Sequence, residues 1–308
     1  MKRYGRELSV TASLGALLLL LAVVAPAFFG RQQLLTTLTA AAPVLVVACG
    51  MTLVVLTRQI DISVGSQFAL CSVAAGLLAR AGWPMPAVIL AVLAGGALLG
   101  AFNGLLVAGL GLPSIVVTLA TFVTWRETLR WWREGEFVKD LPDRFQWLGL
   151  GQSSGQLFIL LAAAAVFALL VYGLRRSAVG RFVYAVGSDR EAARLSGIRP
   201  EWVTWGTFVT LGALVGVAAV LNAIRFADVD PKTGTGLEMQ VVAGVVVGGV
   251  AVSGGRGTLW GVLAGVLLLA CIAPALVFLK FPPQWEKAIQ GAIILVAVAA
   301  DGSRRARR

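Results

Sequence analysis

The chain has 308 residues, of which 58% are apolar and only 13% charged, with a formal net charge of +11 and a mean hydropathy of +0.86. About a quarter of an average soluble domain is charged, so this composition excludes a soluble globular protein and describes an all-α, polytopic membrane protein. The absence of histidine removes histidine metal sites, histidine proton relays and any Ser-His or Cys-His pair, and no metal site is expected.

The basic residues sit in loops and at the ends rather than on one amphipathic face, which argues against nucleic acid as a partner. Cys49, Cys71 and Cys271 lie inside apolar runs and read as small buried hydrophobes.

Met1 to Ser9 is a basic tip carrying Lys2, Arg3 and Arg6, and Ala12 to Phe29 is the first apolar run. Ala25-Pro26-Ala27 loosely resembles a signal cleavage site, but the run is longer than a usual signal core, so a retained span is favoured. Further runs follow at 41–56, 64–79, 85–109, 113–125, 156–174, 203–224, 239–252, 258–279 and 286–300. Together they predict about ten transmembrane helices in a single transmembrane domain over 1–308. The 113–125 run is shorter than the ~20 residues that cross the hydrocarbon, so it is read as re-entrant or extended by its flanks.

Gly96, Gly100 and Gly104 recur every four residues, as do Gly257, Gly261 and Gly265. Each set marks a helix face suited to close helix packing. The two segments are either remnants of a duplication or independent packing glycines. The outer loop, about 126–155, holds five basic and five acidic residues. In it Trp125, Leu129 and Trp132 fall on one helical face beside Trp131, which predicts an amphipathic segment lying at the outer interface. An aromatic belt and a platform for an extracytoplasmic partner are both compatible with it.

The run Arg175 to Glu201 carries six arginines against three acids. A short, arginine-rich loop between spans stays in the cytoplasm, and that places both termini there, including the basic end with Arg304, Arg305, Arg307 and Arg308. Within this loop 188–195 reads as a short helix, with Ser188 or Asp189 as N-cap, Gly197 as the stop, and Leu195 and Ile198 as apolar contacts. It is either a solvated connector that sets topology or a docking helix for a separate soluble motor.

Few ionisable groups lie in or beside the spans. A carboxylate at mid-membrane costs about 2.5–3.5 kcal/mol on insertion scales, so Asp61 must sit at a mouth or have a partner, and Arg58 is the nearest candidate. Glu238 opens another span, and Asn103 and Asn222 are the clearest amides within spans. Helix capping by Asp61 and Ser63 and interhelical bonding by the asparagines stand beside a direct transport role. The turn Ser253 to Thr258 is glycine-rich but lacks the Gly-Lys-Ser/Thr ending of a phosphate-binding loop, so the chain is not expected to hydrolyse nucleotide or to act as an enzyme.

Four blocks, in order, resemble the membrane permease subunits of ribose-type carbohydrate ABC importers. RQIDISVGS resembles that family's Gly-Ile-Asp-Leu-Ser-Val-Gly motif, which carries Asp61, Ser63 and Gly65. Asn103 to Thr121 resembles its Asn-Gly…Pro-Ser/Phe-Ile-Val-Thr-Leu block, Gly180 to Ile198 its cytoplasmic EAA-like loop, and Gly236 to Gly261 its second glycine-rich signature. Arg58-Gln59 departs from the family, many members of which carry a smaller, often glycine-containing pair. The outer loop is similar to permeases assigned to rhamnose or autoinducer-type sugars.

The resemblance implies a type II-like helical permease that works as a pair, homodimeric or mixed, in the bacterial inner membrane. The pair docks ABC ATPase subunits, which bind ATP and Mg, and receives sugar from a periplasmic binding protein; no cofactor is expected in this chain. It also implies that Arg181, Glu191, Ala192, Ala193, Arg194 and Gly197 belong to the ATPase-coupling loop. Asp61, Ser63, Gly65, Asn103 and Glu238 are the motif residues expected near the path. The alternative class is an ion-gradient secondary transporter, which needs a buried midplane carboxylate or histidine.

Overall fold

The computed structural model describes residues 5–282, 284–293 and 295. The basic tip at Lys2 and Arg3, the last part of the predicted 286–300 span and the four terminal arginines lie outside the described residues.

Helices dominate. They are α1 (Gly5–Val24), α2 (Arg31–Leu56), α3 (Val64–Arg80), α4 (Met85–Gly104), α5 (Ser114–Arg133), α6 (Gln152–Arg176), α7 (Ala178–Ser188), α8 (Arg190–Leu195), α9 (Pro200–Ala223), α10 (Leu237–Val247) and α11 (Leu259–Phe278). A π-helical turn, Leu105–Gly109, extends α4. Five of these helices are long and apolar enough to cross a membrane: α2, α4 with its extension, α6, α9 and α11.

Local chemistry sets the ends. Ser177 Oγ caps α7 by accepting from Gly180 N at 3.0 Å, and Thr258 Oγ1 caps α11 by accepting from Gly261 N at 3.3 Å. Pro200 opens α9, where its missing N–H costs nothing.

The ten runs are not ten equal spans. The 113–125 run becomes a 20-residue helix because α5 continues through its charged flank to Arg133. Trp125 to Trp132 is therefore the C-terminal part of α5, continuous with the rest of that helix. Its predicted face is divided, with Leu129 1% exposed while Trp132 and Trp131 are 57% and 79% exposed. The 239–252 run shortens to α10, 11 residues and roughly 16 Å, about half the hydrocarbon thickness. Two glycines, Gly248 and Gly249, interrupt the apolar run there, the second with positive φ.

A central helix, α9, packs against α2, α3 and α4. Its contact with α4 is backbone to backbone. A Cβ on Gly96 or Gly100 would overlap the carbonyl oxygen of Gly212 or Phe208, and a Cβ on Gly212 would overlap that of Gly96. Gly265 on α11 lies against Gly244 of α10 and Gly248 just past its end in the same way, while Gly257 stands in the turn before α11. With no hydrophobic drive between helices in lipid, close van der Waals approach of this kind supplies much of the attraction.

Non-helical backbone at membrane depth must be covered by protein. At one end the 134–151 loop is pinned to 224–233: Val138 and Val229 exchange backbone bonds of 2.9 and 3.1 Å, and Trp147 N donates to Ile224 O at 2.6 Å. From there the chain descends along α3 to Gly234, which packs on Gly65. At the other end the α2–α3 break, the α7–α8 turn and the 253–257 turn meet.

Candidate functional site

The α2–α3 break, residues 57–63, is the polar centre of the molecule. Asp61 is fully buried. Its Oδ1 accepts from Ser63 N at 2.8 Å and from Ser63 Oγ, and its Oδ2 accepts from Gln67 Nε2 at 3.2 Å and Asn103 Nδ2 at 3.3 Å. Ser63 Oγ in turn accepts from Gln67 Nε2 and Asn103 Nδ2, both at 2.8 Å. The carboxylate is thus held by four neutral donors at the N-terminus of α3, where the helix dipole favours negative charge.

Helix α5 holds the flanking backbone. Ser114 Oγ accepts from Ile60 N at 3.3 Å, and Thr118 Oγ1 accepts from Ile62 N at 3.1 Å and donates to Ile60 O at 3.4 Å. One seven-residue break therefore ties α3, α4 and α5 together. The expected Arg58–Asp61 pairing is wrong. Arg58 turns the other way, its Nε donating to Gly187 O at 2.7 Å and its Nη2 to Ser188 O. Those carbonyls end α7, the negative pole of that helix, which favours a cation.

Arg58 also has φ +66°. This left-handed backbone costs a side-chain-bearing residue about 1–2 kcal/mol and costs glycine nothing.

Gly65 and Glu238 meet, with a Cβ on Gly65 overlapping Glu238 Oε2. That oxygen is buried without a hydrogen-bond partner, as is Arg126 Nη2, whose sister nitrogen Nη1 donates to Thr233 O at 3.1 Å. Asn222 lies within α9, in its last turn, donating to Thr233 Oγ1 at 3.4 Å and accepting from Arg225 Nη1 at 3.2 Å. The structure thus joins Asp61, Ser63 and Asn103 in one cluster and sets Gly65 and Glu238 beside it.

The arginine-rich loop forms α7 and α8. Asp189 caps α8, accepting from Glu191 N and Ala192 N at 3.0 Å each, and Gly197 ends it with φ +81°. Ala193 is buried, while the Glu191 side chain is 68% and Leu195 82% exposed. Leu195 is therefore not the inward contact expected of it, because a six-residue helix turns one face inward and Ala193 occupies it. Arg194 reaches Glu191 at 3.4 Å and Glu201 at 2.9 Å, and Arg190 also reaches Glu201 at 3.0 Å. Arg181 is exposed on α7 and donates to Arg176 O at 3.5 Å.

The glycine turn spends its N–H groups internally, with Gly255 N donating to Leu56 O at 2.9 Å and Gly254 N to Ala251 O at 2.8 Å.

Gln67, Ser114 and Thr118 were not singled out from the sequence. The signal was present: Ser63 and Gln67, like Ser114 and Thr118, are polar pairs four residues apart in apolar helices, which places each pair on one face.

A model of the family described as branched-chain amino acid transport system / permease component matches residues 33–298. Among curated proteins, the autoinducer 2 import system permease protein LsrC of Salmonella typhi is 36% identical over 266 residues, covering 85% of this chain and 75% of that protein. LsrC of Escherichia coli O157:H7 is 37% identical over 266 residues (85% and 76%), and that of Enterobacter sp. (strain 638) 38% over 267 (85% and 76%). No solved structure matches the chain.

Proposed function

The chain belongs to the branched-chain amino acid transport system / permease component family, and from that premise we propose that it is the translocation subunit of an ATP-driven, binding-protein-dependent importer of a small sugar. It is a multi-pass permease of the ribose-type sugar branch, as its likeness to the autoinducer-2 permeases indicates. The family description and those relatives name different solutes, so the family alone does not set the solute. Autoinducer 2 is the first to test.

The observation that carries the motor-driven reading is α8. It is a self-capped helix held against the body through Ala193 while its other face stands in solvent. Such an element suits docking a separate ATPase, which would hold the ATP and Mg. Closure of an ATPase pair would press on Arg181 to Gly197 and favour one permease state through its better fit to the closed motor. Glu191, Ala192, Arg194 and Gly197 form the contact in this reading, and Ala193 seats the helix on the body.

Asp61, Ser63, Gly65, Asn103 and Glu238 form the inner framework beside the path, and a second permease copy or homologue completes it. The whole chain acts as one permease domain, which the contiguous buried cluster from Ala42 to Val266 supports. The protein resides in the bacterial inner membrane with both termini and α8 cytoplasmic.

The test is purification of the chain from native membrane with its co-purifying subunits identified, beside the Glu191→Lys variant. An ATPase subunit present with wild type and lost from the variant is the expected result. A chain that purifies alone and transports in liposomes without ATP overturns the reading.

A further inference from the structure

We infer that Arg58 is the positioning residue through which movement of α8 reaches the buried Asp61 framework. This rests on the importer reading above and adds to it a route from the docking helix into the membrane.

The observations converge on one joint. Arg58 binds the two carbonyls that end α7, those of Gly187 and Ser188. The next residue, Asp189, is the cap of α8. Any displacement of α8 therefore acts first on the two carbonyls that Arg58 holds. In the other direction Arg58 lies three residues before Asp61, inside the same seven-residue break.

Little slack exists in between. Thr57 N and Arg58 N still bond to the last turn of α2, and Gln59 N donates to Val54 O at 3.1 Å. Ile60 and Ile62 are then held by Ser114 and Thr118 of α5.

Close backbone packing stiffens the joint. A Cβ on Gly187 would overlap Leu56 O, the carbonyl that also accepts from Gly255 N. A Cβ on Gly254 would overlap Arg58 Cγ, and Tyr184 Oη donates to Gly257 O at 2.8 Å. Rigid elements joined by short bonded connections transmit displacement in discrete steps and do not absorb it.

The backbone at Arg58 offers a way to separate anchoring from stability. Its φ of +66° suits glycine better than arginine. If the residue served stability alone, glycine would lower the midpoint and leave the solute moved per ATP unchanged. If its guanidinium carries the link, glycine leaves a folded but uncoupled permease.

The experiment uses the complex purified with its ATPase and binding protein, reconstituted in liposomes, with autoinducer 2 as the probe. Uptake, ATP hydrolysis and the thermal midpoint are measured for wild type, Arg58→Gly, Arg58→Lys and Arg58→Met. The expected result for Arg58→Gly is a folded complex whose midpoint falls by only a few degrees, because relief of the left-handed backbone offsets part of the two lost bonds, and an about tenfold fall in solute moved per ATP, within the usual range of coupling between sites. Lysine restores part of the ratio because it returns a cation to the helix end, and methionine, of similar length without a donor, does not.

A wild-type ratio in Arg58→Gly overturns the inference. Should that variant fail to assemble, equal ratios in the lysine and methionine variants overturn it. Wild-type uptake that needs no ATP overturns the importer reading and this inference together, whereas a normal glycine variant in an ATP-dependent system overturns this inference alone.

Discussion

Replacing Asp61 with asparagine changes almost no volume and tests the account of the buried cluster directly. In the native protein all four donors point at Asp61. Asparagine can keep the two bonds from Ser63 on its oxygen, but its amide nitrogen then faces Gln67 Nε2 and Asn103 Nδ2. Both neighbours carry buried oxygens without partners, Gln67 Oε1 and Asn103 Oδ1, so they could rotate to accept. Rotation, however, breaks their 2.8 Å bonds to Ser63 Oγ, whose single proton is already committed.

Either arrangement loses two bonds, each about 1.5–3 kcal/mol when one partner is charged, against which the relief of burying a charge is set. A net loss of about 3 kcal/mol is the expectation, or a fall of roughly 5–10 °C in the apparent melting temperature of the purified protein in detergent. The assay is thermal unfolding followed by tryptophan fluorescence, with Asn103→Leu and the double variant completing a cycle. The double variant should lose less than the sum of the singles, because both disrupt one network. An Asp61→Asn protein as stable as wild type, or strictly additive losses, would refute the cluster as described.

Two glycines on α4 should respond oppositely. Gly95 faces open space and Gly100 faces the Phe208 carbonyl, so Gly95→Ala should be neutral or stabilise by about 0.5–1 kcal/mol while Gly100→Ala destabilises by about 1–3 kcal/mol, both read from melting temperature. Thr118→Val removes both contacts to the Ile60–Ile62 backbone and should cost about 1–2 kcal/mol, with Thr118→Ser close to wild type; equal stability of the two would show that the hydroxyl is idle. Asp189→Ala strips the cap of α8 at a cost of about 1 kcal/mol, so amide exchange at Glu191 and Ala192 should speed up about fivefold while α9 stays protected.

Much of the site was legible because its parts are local. Asp61 and Ser63 announce themselves as polar residues in an apolar chain, and Asp189 with Gly197 marks a short helix by the chemistry of its two ends. The partners were not legible. Nothing in sequence spacing says that Asn103, 42 residues away, faces Asp61, or that Arg58 reaches the end of α7, 129 residues on. Arg58 was matched to the nearest acid because proximity in sequence was the one guide. The backbone turns at Arg58 through a left-handed conformation, and that turn sends its side chain away from Asp61.

The sequence by itself determined that the protein lives in a membrane, that it is helical, and where its charged breaks fall, because lipid admits only backbone that satisfies its own hydrogen bonds. Apolar runs cannot reveal their own lengths as helices. The charged end of α5 and the short α10 were decided by tertiary contacts: α5 is extended where Arg126 meets Thr233, and α10 begins only where Gly234 and Glu238 pack on Gly65. The glycine faces could be read from spacing, but that α4 packs on α9 and α11 on α10 follows from which backbones approach closely enough to need them. Composition therefore chose the solvent and the class of structure, and packing chose which polar groups could be buried together.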